Sequence, residues 1–146
     1  MAYVNEMKIT FPSKSFNESF ARVSVSAFAA QVDPTVDELT DIKTAISEAV
    51  TNCIVHGYED TIGKVYIFAG LTDNGVLKVR VKDTGVGIPD IEKAMEPMYT
   101  SSKSGERAGL GFAVMQMFMD KVRVRSAPGK GTTVYMEKKL NSRSNG

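Results

Sequence analysis

Residues 76–87 read VLKVRVKDTGVG. Leu77, Val79 and Val81 alternate with Lys78, Arg80 and Lys82, which is the period of a strand with one apolar and one charged face. Residues 64–71 form a second apolar run, joined to the first through Thr72-Asp73-Asn74-Gly75. Asn-Gly supplies the positive φ angles of a tight hairpin, so the two runs are predicted to pair as antiparallel neighbours. Lys121, Arg123 and Arg125 alternate with Val122 and Val124 in the same way. Strands that are apolar on one side only need helices on one side only. The pattern therefore predicts an α/β (α+β) two-layer sandwich, with a mixed, largely antiparallel sheet and helices on one face. The charged side reads either as a basic patch that binds something or as a solvated sheet face, and the solvated face is the simpler reading. Two places further along the same parity comes Asp83, which should point inward and so needs hydrogen-bond donors. Gly85 and Gly87 follow it. Two glycines remove the side chains that keep a flat ligand off the backbone, although a simple turn favours the same residues.

Working outward, residues 7–11 read as an edge strand ending at Pro12, and residues 16–31 as an amphipathic helix closed by Asp33-Pro34. Thr35-Val36-Asp37-Glu38 has the form of a capping box, opening a helix that should run to about His56 with Gly57 near its C-terminal end. Ile42, Ala45, Ile46, Ala49, Val50, Cys53 and Ile54 form its apolar arc, and Glu48, Asn52 and His56 form a polar stripe four residues apart beside that arc. Such a stripe is either the wall of a pocket or the ordinary boundary of an amphipathic helix. A loop region with a short helix is expected over 84–108, a helix over 110–119, a strand over 122–125, a turn at Pro128-Gly129-Lys130-Gly131 and a last strand over 132–138. Gly105-Glu106-Arg107-Ala108-Gly109-Leu110-Gly111 opens the later helix. Free N–H groups at a helix start suit a phosphate, and a flexible connection explains the same glycines. The sequence has neither a Walker A nor a dinucleotide fingerprint. Residues 1–140 are expected to form a single domain, with 141–146 a flexible tail.

Composition narrows the function. The chain has 146 residues, 24% of them charged and 42% hydrophobic, as a folded domain requires. A formal net charge of +1 gives no reason to expect direct nucleic-acid binding. One cysteine and one histidine exclude an internal disulfide and a self-contained zinc site, and Cys53, within the apolar arc, should be a buried, inert thiol. No signal-like segment or membrane-length apolar run is present, so a cytoplasmic location and no membrane partner are expected.

Taken together, Glu48-x-x-x-Asn52, Asp83-x-Gly85-x-Gly87, Gly109-Leu110-Gly111 and Gly129-Lys130-Gly131-Thr132-Thr133 are more specific than any one alone. They resemble the Bergerat-type ATP-binding domain of DNA gyrase, the heat-shock 90 chaperones, histidine kinases and mismatch-repair ATPases, over about residues 35–138. "SEAVTNCIVHGY", "VKDTGVGIPDIEKAMEPMYTS" and "ERAGLGFAVMQMFMDKVRV" resemble the bacterial anti-sigma factors that are also serine protein kinases, especially the sporulation members of bacilli. The resemblance implies ATP or ADP and Mg²⁺ as cofactors, with Glu48 as general base and Asn52 helping to hold the metal. It makes Asp83 the acceptor of the adenine amino group. Gly85 and Gly87 would admit the base, and Gly109, Leu110 and Gly111 would offer backbone N–H groups to phosphates. Thr132 is preferred to Thr133 as the adenine-side hydroxyl, because it shares the parity of Val134 and Met136. Many relatives carry a glycine where this chain has Arg107, which either contacts the γ-phosphate or is a surface arginine. Residues 97–108 would be a lid, with Ser101, Ser102 and Lys103 touching phosphate transiently. His56 is expected at the pocket edge or helix end rather than as a phosphate acceptor.

The function the resemblance implies is sequestration of a sporulation-type sigma factor, coupled to phosphorylation of a serine on an anti-anti-sigma protein, by a homodimer. Two alternatives are a small ATPase of the same superfamily and a nucleotide-gated binding module without transfer chemistry. Glu48 speaks against the second, since a pure sensor needs Asn52 and Asp83 but no base.

Overall fold

The structure, a computed structural model, describes residues 2–95 and 111–141. In chain order run β1 (Tyr3–Pro12), α1 (Asn17–Ala29), α2 (Val36–Thr51), β2 (Lys64–Thr72), β3 (Val76–Asp83), α3 (Ile91–Met95), α4 (Phe112–Phe118), β4 (Lys121–Ala127) and β5 (Gly131–Lys139). The strands lie in the order β1-β2-β3-β5-β4, and all four pairings are antiparallel. Because β5 lies between them, β3 and β4 point the same way, and the chain between them carries α3 and α4.

The alternation in β3 sets the layers. Leu77, Val79 and Val81 are buried and pair with Leu71, Ala69 and Ile67 of β2. On the other side, Val79 and Val81 pair with Met136 and Val134 of β5. Onto this face pack Ala21, Val25 and Ala29 of α1, Ile42, Ala45, Ile46, Ala49 and Val50 of α2, and Phe112 and Met115 of α4. Gly75 takes φ 82 in the hairpin turn, and its N–H reaches Thr72 O at 3.1 Å. The capping box forms in full: Thr35 Oγ1 accepts from Glu38 N at 3.1 Å, and Thr35 N donates to Glu38 Oε1 at 2.9 Å. Such a cap contributes about 1 kcal/mol.

Several boundaries differ from the sequence expectation. β1 begins at Tyr3 because β2 offers partners as far as Thr72, and the Tyr3 ring meets Phe68 edge-on at 5.3 Å. α1 stops at Ala29, one turn of 3₁₀ helix follows (Ala30–Val32), and Asp33 leaves in the left-handed region at φ 52. α2 ends at Thr51, and Asn52–Gly57 winds as a π turn in which Tyr58 N donates to Cys53 O at 3.0 Å. α4 begins at Phe112 after Gly111 at φ 67; Leu110, expected to open the helix, lies outside the described residues. Among the described residues no element covers the outer face of the sheet, and no helix is long and apolar enough to cross a membrane.

Candidate functional site

Asp83 is the last residue of β3, in register with Val65 on one side and Thr132 on the other. Its parity turns it into the core, where it is 3% exposed. Burial pushes its carboxyl above the usual carboxylate range, against hydrogen bonds from the backbone of Gly85, the thiol of Cys53 and the backbone of Thr132. The Gly85 N–H reaches Oδ1 at 2.9 Å. Cys53 is pushed well up, first by burial and then by the charge and hydrogen bond of Asp83, so at neutral pH it is a thiol donating to Asp83.

The glycines around Asp83 are required by contact. A methyl group on Gly57 would stand 2.8 Å from the carboxyl carbon, and one on Gly85 would overlap the Gly57 carbonyl oxygen. Val86 N donates to that same oxygen at 2.9 Å. Tyr58 completes the clamp: its hydroxyl donates to Lys64 O at 2.7 Å and accepts from Thr84 N at 2.7 Å. The π turn therefore sets Cys53, Gly57 and Tyr58 against residues 83–86, which a continued α-helix would rotate away.

The opposite wall comes from the β4–β5 turn. Ser126 Oγ accepts from Ile88 N at 2.7 Å, donates to Gly131 O at 2.9 Å and lies 2.9 Å from Thr132 Oγ1. With its one proton given to Gly131, Ser126 must accept from Thr132. The Thr132 hydroxyl thereby has a fixed direction and keeps lone pairs free. Gly129 N donates to Val86 O at 2.7 Å, tying this turn to the glycine loop.

Between these walls lies a cavity of about 20 Å³, lined by Ala49, Asn52, Cys53, His56 and Gly57 from the helix side and by Val81, Asp83, Gly87, Ile88, Phe112, Thr132 and Val134. Small-molecule pockets usually hold a few hundred Å³, so this is the floor of a site rather than the whole of one. Burial lowers the pKa of His56 against the pull of Glu59, leaving a neutral imidazole on the wall. Glu48 is one helical turn before Asn52, and its carboxylate rests on Gly111 at the start of α4, where a methyl group would run into it.

Of the residues singled out in the sequence, Asn52, Asp83, Gly87 and Thr132 share one cavity. Gly85 packs behind Asp83, and Glu48 meets Gly111. Thr133 lies on the outer face with Lys82 and Tyr135. Arg107, Gly109, Leu110 and the expected lid, including Ser101, Ser102 and Lys103, lie outside the described residues. Sequence reading missed Tyr58, Ser126, Ile88 and Phe112. The signal for Ser126 was its cross-strand pairing with Thr132. For Tyr58 it was a phenol placed directly after a helix-ending glycine, where the hydroxyl needs partners. Among the described residues no group of three His, Cys, Asp or Glu is arranged to hold a metal. The amide oxygen of Asn52 suits Mg²⁺ only where phosphates and water supply the other ligands.

The site thus combines a buried carboxylate, walls kept bare by glycines, and a second carboxylate one helical turn from Asn52. Residues 11–138 match the histidine kinase-like ATPase domain. The chain is 58% identical to the anti-sigma F factor of Thermoanaerobacter sp. strain X514, over 97% of this chain and 99% of that one. It is 52% identical to the anti-sigma F factor of Geobacillus kaustophilus, over 93% of both chains. Among solved structures, the RsbU and RsbW domains of Rv1364c from Mycobacterium tuberculosis superimpose with a TM-score of 0.69 at 21% identity, covering 94% of this chain and 33% of that one. The catalytic domain of histidine kinase ThkA superimposes at 0.59 with 18% identity, covering 92% and 96%. The chain belongs to the histidine kinase-like ATPase family, in the branch of the anti-sigma F factors.

Proposed function

We propose that this protein is an anti-sigma factor that is also an ATP-dependent serine protein kinase. It withholds a sporulation-type sigma factor and phosphorylates a serine of an anti-anti-sigma protein, acting as a cytoplasmic homodimer. The observation that carries the reading is the placement of Asn52, Asp83 and Thr132 around one cavity, with Glu48 one helical turn from Asn52 against Gly111, in a chain 58% identical to an anti-sigma F factor.

In this reading Asp83 accepts a hydrogen bond from the adenine amino group, and Thr132 faces the base from the β5 side. Gly85 and Gly87 let the flat ring approach. Backbone N–H groups of Gly109, Leu110 and Gly111 meet the phosphates, and Arg107 neutralises the γ-phosphate. Asn52 would hold Mg²⁺, which neutralises phosphate charge when bound. The substrate serine Oγ forms a bond to the γ-phosphorus as the bond from that phosphorus to the β,γ-bridging oxygen breaks. ADP leaves, and Glu48 takes the serine proton.

Glu48→Gln tests the assignment. With γ-labelled ATP, Mg²⁺ and a bacterial protein extract, the wild type should label a small protein with acid-stable phosphate. The variant should transfer roughly 10²- to 10⁴-fold more slowly and bind ATP within about threefold of wild type. Loss of both transfer and ATP binding would make Glu48 structural. Release of free phosphate alone would make the protein an ATPase, and ATP binding with neither product would make it a nucleotide-gated binder.

A further inference from the structure

The outer face of the sheet has no part in the chemistry above, yet it holds much of the positive charge. Lys8, Lys78, Arg80, Lys82, Arg123 and Arg125 share it, while the same face presents Glu6 and Glu137. Glu137 is already engaged, at 3.5 Å from Lys78 and 4.0 Å from Lys121. Among the described residues Lys8, Arg80, Lys82, Arg123 and Arg125 form no ion pair with a carboxylate. In a chain of net charge +1 this is a strongly one-sided distribution.

The surface is also shaped. Two grooves, of about 410 and 210 Å³, flank a ridge made by Phe68, Arg80 and Tyr135, which line both. Five strands at about 4.8 Å spacing make a face about 20 Å across, the span of about six extended residues. We propose that this face is a docking surface for an acidic polypeptide segment of a partner protein, on the side of the sheet away from the nucleotide cleft.

The ring faces separate this occupant from a single-stranded nucleic acid, which needs open aromatic faces on which to stack its bases. Here Arg80 lies 4.4 Å over the Phe68 ring and Lys82 lies 5.9 Å over Tyr66. Tyr3 closes the edge of Phe68 at 5.3 Å, and Phe68 itself is 9% exposed. The aromatic rings serve as props for cations, and a guanidinium supported in this way suits a carboxylate. A second copy presenting the same face would bring like charges together.

A fluorescent octa-glutamate peptide is the probe, titrated by anisotropy at low salt into the full chain. Binding should weaken steeply with added salt, and should fall at least about tenfold in Arg80→Glu/Lys82→Glu and in Arg123→Glu/Arg125→Glu. Either pair suffices should the other fail to melt cooperatively. Lys14→Glu/Lys43→Glu, which makes the same charge change at exposed positions off this face, should bind as wild type does. ATP affinity should stay unchanged in all three, so failure here is distinct from failure of the kinase reading. Equal loss in the off-face variant, or no binding by wild type, overturns the proposal. So does tighter binding of an oligothymidine of equal charge, which would assign the face to nucleic acid. A change in oligomeric state in the face variants without peptide binding would assign it to a second copy.

Discussion

The two ends of the cleft are built differently. At the Asp83 end the neighbours fix one another: Gly85 N donates to the carboxylate, Val86 N donates to the Gly57 carbonyl, which leaves no room for a side chain on Gly85, and Tyr58 holds Thr84. At the Glu48 end, among the described residues, the carboxylate lies against Gly111, which sits at φ 67. The Asp83 end is thus held in place by its own contacts, as its proposed part in recognising a base requires. The Glu48 end carries the group proposed to take up a proton and release it.

Substitutions at each end should separate the two. Gly85→Ala forces backbone against backbone and should be the most damaging, at about 3 kcal/mol. The corresponding loss in melting temperature is roughly 10 °C. A melt within about 2 °C of wild type would show that this end is less tightly fixed than the contacts imply. Tyr58→Phe strands the Thr84 N–H and should cost about 2 kcal/mol, with ATP affinity falling alongside stability. Gly111→Ala meets the Glu48 side chain rather than backbone, so its stability loss should be about 1 to 2 kcal/mol from the positive φ. In that variant phosphoryl transfer should fall by more than ATP affinity does. A larger fall in affinity than in rate would reverse the roles given to the two ends.

The smallest effect concerns pH. Folded Asp83 holds its proton more tightly than the unfolded chain, whose carboxyl titrates near 3.8. Its contribution to stability is therefore full below that value and is lost as pH rises through the raised folded value. Denaturant melts of Asp83→Asn should lack this decline, so the variant gains on wild type as pH rises across that window. Parallel pH profiles for the two proteins would mean that the carboxyl is solvated.

Much of this was legible in the sequence, and the reasons are local. The alternation of Leu77, Val79 and Val81 gave the buried face of the sheet and the inward direction of Asp83. The parity of Thr132 set it against Thr133, and the structure puts the two on opposite faces. The π turn was not legible. A helical wheel carried through to His56 assumes a constant turn, whereas the extra residue between Cys53 and Tyr58 is retained by contacts with Asp83 and Thr84, far away in the chain. Likewise Cys53 read as plain core, because nothing in its own helix announces the carboxylate beside it. The place of β5 between β3 and β4 is a long-range fact that strand periodicity does not encode.

That insertion bears on how the chain comes to be folded during synthesis. Of the five described strands the one synthesised last, β5, is an interior strand, and β4 has no partner in the sheet until β5 arrives. Until then the free edges of β3 and β4 are open to mispairing with other chains. Thr132, which faces Asp83 across the ladder, also comes late. A nascent chain released before residue 131 therefore carries every residue proposed for proton transfer and none of the β5 wall.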